Sequence, residues 1–200
     1  MSSASKVTVI DAARGVMPRA FDRPGAGPGP QERAHLAALS QKAAGMTAPQ
    51  LVELALSGEL AGRTAVVSSF GAESAVLLHM VAQVDPNTPI LFLNTGKLFG
   101  ETLRYRDRLQ DALGLGDVRS LAPSQEARLA ADPDGTLWSR DTDACCNFRK
   151  VIPLARALKP FAAQITGRKR FQTRERAEMQ PVEFHDGRLR FNPLWQWNRD

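Results

Sequence analysis

Two adjacent cysteines, Cys145 and Cys146, are the only thiols among 200 residues. They stand in the run Asp143-Ala144-Cys145-Cys146-Asn147-Phe148-Arg149-Lys150. Neighbouring thiols build no disulfide framework, and a helix N-terminus with Arg149 and Lys150 close by favours the thiolate, the form that ligates iron. A pair of buried, inert cysteines is the competing reading. A second group is the loop Ser69-Phe70-Gly71-Ala72-Glu73-Ser74. Gly71 permits a tight turn there, and hydroxyls at a helix N-terminus suit a phosphate or sulfate oxygen, although an ordinary strand-to-helix turn capped by Ser74 has the same sequence. In Asn94-Thr95-Gly96-Lys97 a polar strand end can approach a ribose or base, and Lys97 can face an anion or stay solvated. The fourth group, Gly167-Arg168-Lys169-Arg170-Phe171-Gln172-Thr173, is either an anion-binding turn or a solvated basic one.

These groups need a frame that brings distant segments together. The short apolar runs Thr64–Ser68 and 89–93 read as strands buried on both faces of a parallel sheet. Val118–Leu121 and Ala163–Thr166 are further strands. Helices are expected at Ser74–Val84, 101–113, 124–131 and 144–158, so strand and helix alternate. Thr47 with Gln50 forms a capping box that opens a helix reaching about Leu60. Asp186-Gly187 is a two-residue turn between strands Val182–His185 and Arg188–Phe191. Residues 1–30, rich in Pro and Gly toward their end, read as a disordered leader, which leaves 31–200 as one domain. Chemistry in such a sheet belongs beyond the carboxyl ends of the strands.

Composition narrows the classes. No run approaches the roughly 20 apolar residues of a membrane helix, and no secretory signal is evident, so a cytoplasmic protein is expected. A net charge of +5 is compatible with nucleic acid. The cations, however, gather at Arg168, Lys169, Arg170, Arg174 and Arg176 without an arginine-rich helix or interleaved aromatic residues. A local anion pocket is therefore favoured over a nucleic-acid face. The histidines His35, His79 and His185 lack metal-ligand spacing, and Trp138, Trp195 and Trp197 are expected to pack.

With these residues the chain resembles the sulfonucleotide reductase branch of the adenine-nucleotide α-hydrolase-like superfamily. The 69–74 loop is similar to its PP-loop Ser-Gly-Gly-x-Asp-Ser, with Phe70 and Glu73 replacing the first Gly and the Asp. Those two replacements point away from the ATP-pyrophosphatase chemistry of other branches. Residues 94–97 resemble its Asp-Thr-Gly-Lys, with Asn94 for Asp, and residues 167–173 resemble Gly-x-Arg-Arg-x-Gln-Ser, with Lys169 and Thr173 substituted. The cysteine run resembles the tandem-cysteine motif of adenylyl-sulfate reductases that hold a [4Fe–4S] cluster.

The resemblance implies a Rossmann-like α/β three-layer sandwich with a mostly parallel sheet. It implies nucleotide contacts from Ser69, Gly71, Glu73, Ser74, Asn94, Thr95, Gly96, Lys97, Lys150, Lys169, Arg170 and Gln172, with Arg170 on the phosphosulfate and Lys150 between cluster and substrate. Iron would be held by Cys145 and Cys146. The implied activity is reduction of adenosine 5′-phosphosulfate to sulfite and AMP by thioredoxin, in sulfate assimilation and cysteine biosynthesis. In the family a Cys-x-x-Cys and the nucleophile of a Glu-Cys-Gly ending lie in a C-terminal region beyond the point that matches Trp197. These 200 residues are thus expected to supply two of four cluster ligands and no nucleophile, and to be inactive alone. Two other readings compete: a degenerate nucleotide-binding relative, and a cluster-free 3′-phosphoadenylyl-sulfate reductase, a class that lacks the cysteine pair.

Overall fold

The computed structural model describes residues 28–198. Of the expected leader, residues 1–27 lie outside that range, and Gly29 and Pro30 already begin helix α1 (Pro30–Ala43). Proline suits a first helical turn because the amide it lacks would have no partner there. Helix α2 (Ala48–Leu56) opens on the expected box, the Gln50 side chain accepting from the Thr47 amide at 2.9 Å. It stops short of Leu60 because Gly58 takes φ +59° and a separate 3-10 turn, Gly58–Leu60, follows.

Strand β1 (Thr64–Ser68) is followed by α3 (Ser74–Val84), β2 (Ile90–Leu93) and α4 (Gly100–Leu113). Next come β3 (Val118–Leu121), α5 (Gln125–Ala131), α6 (Leu137–Arg140), α7 (Thr142–Cys146) and α8 (Ile152–Leu158), then β4 (Ala163–Thr166), β5 (Val182–His185) and β6 (Arg188–Phe191). The six strands form one sheet in the order β3-β2-β1-β4-β6-β5. All neighbours are parallel except β5 and β6, whose hairpin turns through Asp186 and Gly187 at φ 50° and 76°. Positive φ at both central residues is what a tight right-twisting hairpin demands.

Alternating side chains divide the core into two layers. Val66, Ile90, Phe92 and Ile165 pack with Leu51 and Val52 of α2 and Leu77, Leu78 and Val81 of α3. Ala65 and Leu91 face the other way, onto Leu158 of α8 and Phe161. Helices on both faces of a mostly parallel sheet make the expected three-layer α/β sandwich. From β1 the chain builds outward through β2 and β3, then crosses back to place β4 on the opposite side of β1. The connections leaving β1 and entering β4 therefore diverge, and a crevice opens at their carboxyl ends.

The expected helix at 144–158 is longer and broken. It starts at Thr142, with the Asp141 carboxylate accepting from the Ala144 amide at 2.8 Å, and a π-helical segment, Asn147–Val151, separates α7 from α8. The short α6 before it carries no sequence signal strong enough to be anticipated. Among the tryptophans, Trp195 is buried as expected, whereas Trp138 and Trp197 are exposed.

Candidate functional site

The loop after β1 is set by an unusual backbone. Phe70 adopts φ +52°, a left-handed conformation that costs a bulky residue roughly 1–2 kcal/mol. Its ring is 1% exposed and meets Phe92 edge to face at 5.3 Å. Burying such a ring contributes about 1.5–3 kcal/mol, and the aromatic pair about 0.5–1.5 more, so burial outweighs the strain. The Ser68 hydroxyl accepts from the Phe70 amide at 3.1 Å, which tightens the turn. Anchored in this way, Ser69, Gly71, Glu73 and Ser74 line a cavity of about 470 Å³ at the end of β1. Ser74 is the first residue of α3, and its hydroxyl donates to the Gly71 carbonyl rather than capping the helix amides.

The opposite wall comes from the end of β4 and the segment after it: Gln164, Thr166, Gly167, Arg168, Gln172 and Arg176. Lys169, 4% exposed, extends to the Glu73 carboxylate and ties the two walls together. The Gln172 side chain accepts from the Lys169 amide at 3.1 Å and from Arg176 at 2.6 Å. Arg170 goes elsewhere. Its guanidinium donates to the Met179 carbonyl at 2.8 Å and lies 4.0 Å from the Trp195 ring centre, outside the cavity. Residues in a loop alternate without a fixed period, so the sequence could not show that Arg168 and Arg176, not Arg170, face inward.

Arg190 of β6 also lines the cavity and was not anticipated. Burial, then the nearby Arg168, pulls its guanidinium down to about 10, which still leaves it cationic at neutral pH. Burial, then Arg176, likewise lowers Arg168. The available signal was an arginine between Leu189 and Phe191 in the second strand of the hairpin.

A second cavity of about 370 Å³ lies beside the loop after β2 and includes Gly96 and Lys97. Gly96 has φ +71°, a conformation glycine adopts freely, and the Asn94 side chain accepts from its amide at 3.1 Å. Lys97 donates to the Gly135 carbonyl at 2.8 Å. Beneath them Arg149, 5% exposed, donates to the Thr95 carbonyl at 2.7 Å and to the Asp132 carboxylate. Hydrogen bonds from Arg149 and from the Leu137 amide hold the Asp132 carboxyl below its usual range. One side chain thereby fastens the 94–97 loop and the 132–137 turn to the helix that carries the cysteines.

Cys145 is buried and Cys146 half-buried, and both thiols are free. Neither lines these two cavities, nor does the exposed Lys150. Cys145 is the first residue of α7 to bond back within the turn, to the Asp141 carbonyl at 3.0 Å, so the pair sits just after the helix start. No group of three or more His, Cys, Asp or Glu side chains that could hold a metal occurs among the described residues. Two thiols do not by themselves complete a four-thiolate iron site.

A mostly parallel sheet with an arginine-lined crevice at its topological switch is the α/β arrangement in which nucleotides are commonly bound. The phosphoadenosine phosphosulfate reductase domain matches residues 63–200, and the chain belongs to that family. It is 50% identical over 153 residues to the adenosine 5′-phosphosulfate reductase of Chelativorans sp. (strain BNC1), covering 76% of this chain and 62% of that protein. To the adenosine 5′-phosphosulfate reductase of Mesorhizobium japonicum it is 52% identical over 133 residues, 66% of this chain and 52% of the relative. The chain thus spans between half and two thirds of these relatives. A phosphoadenylyl-sulfate reductase structure from Candida auris, a phosphate complex, shares the fold with a TM-score of 0.69 at 21% identity, covering 84% of this chain and 81% of that one.

Proposed function

We propose that the whole protein reduces adenosine 5′-phosphosulfate to sulfite and AMP, with thioredoxin supplying the electrons, as a cytoplasmic step of sulfate assimilation toward cysteine. The observation that carries this reading is the cavity between the 69–74 loop and the basic segment after β4. Hydroxyls and a glycine turn facing guanidinium groups suit a nucleotide that ends in a doubly anionic mixed anhydride. The relatives at 50% and 52% identity, named adenosine 5′-phosphosulfate reductase, support the substrate.

In this reading Ser69, Gly71, Glu73, Ser74, Lys169 and Gln172 hold the nucleotide, and Arg168 and Arg176 take the anionic end in place of Arg170. Asn94, Thr95, Gly96 and Lys97 shape the adjoining loop, and Lys150 directs charge toward the substrate from the cysteine helix. Cys145 and Cys146 supply half of the ligands of a [4Fe–4S] cluster. The nucleophile is then a further cysteine, in the part of the protein this chain does not span. Its thiolate attacks the sulfur, the S–O bond breaks with its electron pair leaving on AMP, and an S-sulfocysteine forms. Two thiols of thioredoxin then reduce it, releasing sulfite and leaving a thioredoxin disulfide.

The test is sulfite release by the anaerobically purified full-length protein. Thioredoxin-dependent release from adenosine 5′-phosphosulfate is expected, with iron–sulfide absorbance in the visible range. Nucleotide binding without release would sink the reductase reading, and release only from the 3′-phosphorylated substrate would reassign it.

A further inference from the structure

Among the arginines that line the cavity, Arg190 is the buried one, and no carboxylate among the described residues is paired with it directly. It is 7% exposed, yet its guanidinium makes no hydrogen bond, ion pair or ring contact among the described residues, and its Nε is a buried donor without an acceptor. A buried guanidinium carries five donors, and leaving a charged group unsatisfied away from water is among the costliest arrangements a protein can hold. Its neighbours worsen the imbalance, since Arg168 and Arg176 line the same cavity.

The obvious neutralising group is Glu183, the cross-strand partner of Arg190 in the β5–β6 pair. The fold directs it away. One Glu183 oxygen accepts from the Asn192 side-chain amide at 3.0 Å and the other from the Gln180 amide at 3.3 Å. Asn192 is fully buried and fixed in turn, donating to the Gln180 carbonyl at 2.9 Å and accepting from Thr166 at 2.7 Å. The carboxylate beside Arg190 is thus engaged by two other donors, and the guanidinium is presented to the cavity.

We infer that Arg190 is a direct ligand of the anionic end of the bound nucleotide, its charge kept available by the Asn192–Glu183 contact. This rests on the nucleotide reading above. A second consequence separates it from a structural role. Removing Arg190 eliminates an unsatisfied buried charge, so the ligand-free protein should become no less stable, while anion affinity falls.

Calorimetric titration of the chain with AMP, adenosine and inorganic sulfate, together with thermal unfolding, tests this. Arg190→Met should weaken AMP binding at least tenfold, leave adenosine binding within twofold, and leave the Tm without ligand equal or higher; tenfold is within reach of losing one charge-assisted hydrogen bond. Arg190→Lys keeps the charge without the fork and should fall between Arg190→Met and the wild type. Glu183→Gln, which removes a competing anion, should tighten AMP binding. Unchanged AMP affinity in Arg190→Met, or a lower Tm with AMP and adenosine weakened equally, overturns the assignment. If the wild type ignores AMP but binds sulfate through Arg190, the nucleotide reading fails and Arg190 stands as an anion ligand. If it binds neither, both fail. Should Arg190→Met not fold, Arg190→Lys and Glu183→Gln decide alone: AMP affinities equal to wild type in both reject the proposal.

Discussion

Arg149 and Arg190 are both buried arginines beyond the carboxyl ends or within the last strands of one sheet, and their surroundings are opposite. Arg149 spends both terminal nitrogens on the protein, one on the Thr95 carbonyl and one on Asp132. Arg190 has no such partner among the described residues, and the carboxylate nearest in register is turned from it. The first arrangement is architecture, since three segments lose their relative positions if it is removed. The second leaves a guanidinium facing a cavity that Arg168 and Arg176 also line, a setting suited to an anionic ligand. A buried cation is informative through its partners rather than through its burial.

That contrast can be broken in stability measurements, where the largest effect is expected at Arg149. Arg149→Met leaves the Asp132 carboxylate buried without its cation, and thermal unfolding should show Tm lower by roughly 10 °C, whereas Arg190→Met should not lower it. A comparable loss in both would erase the distinction. The acid limb sharpens it further. Asp132 titrates below its ordinary 3.8 when folded, so its contribution is present above that value and is lost as pH falls through the depressed pKa. Without Arg149 the same carboxyl titrates higher, and the acid-unfolding midpoint should move to higher pH.

Smaller effects are expected where the charges reach solvent. Lys169→Met unties the two cavity walls, but Glu73 is 60% exposed, so stability should change by less than ~1 kcal/mol while AMP affinity falls several-fold in titration. Lys150→Ala, at an exposed position, should reduce substrate binding or turnover of the full-length protein about two- to threefold with Tm unchanged. Unaltered kinetics would remove Lys150 from the site.

The central strands β1, β2 and β4 were legible to within a residue because each is a short run rich in apolar and β-branched residues, and a parallel sheet buried on both faces leaves that pattern intact. The hairpin was legible because Asp-Gly is one of the few pairs that accept positive φ twice. The site was legible in part. Ser69, Gly71, Glu73 and Ser74 could be found from a loop at a strand end, and Lys169 and Gln172 from a basic turn. Which arginine faces inward could not, because 3-10 turns at 170–172 and 174–176 fix orientation through contacts such as Arg170 on Trp195. Arg190 was hidden for another reason: its role depends on Asn192 holding Glu183, a relation among residues that local patterns do not encode.

The π-helical segment Asn147–Val151 has a consequence for how this region tolerates change. A π turn accommodates one residue more than the α-helical ladder around it, so the chain from Thr142 to Leu158 carries two angular phases about one axis. Cys145 and Cys146 belong to the first phase, and Leu154 and Leu158, which pack on the sheet, to the second. Deleting one residue between 147 and 151 would restore a regular helix and rotate the thiols by roughly 100° relative to the packed face. The extra residue acts as an index mark, setting where the thiols point without altering how the helix is seated.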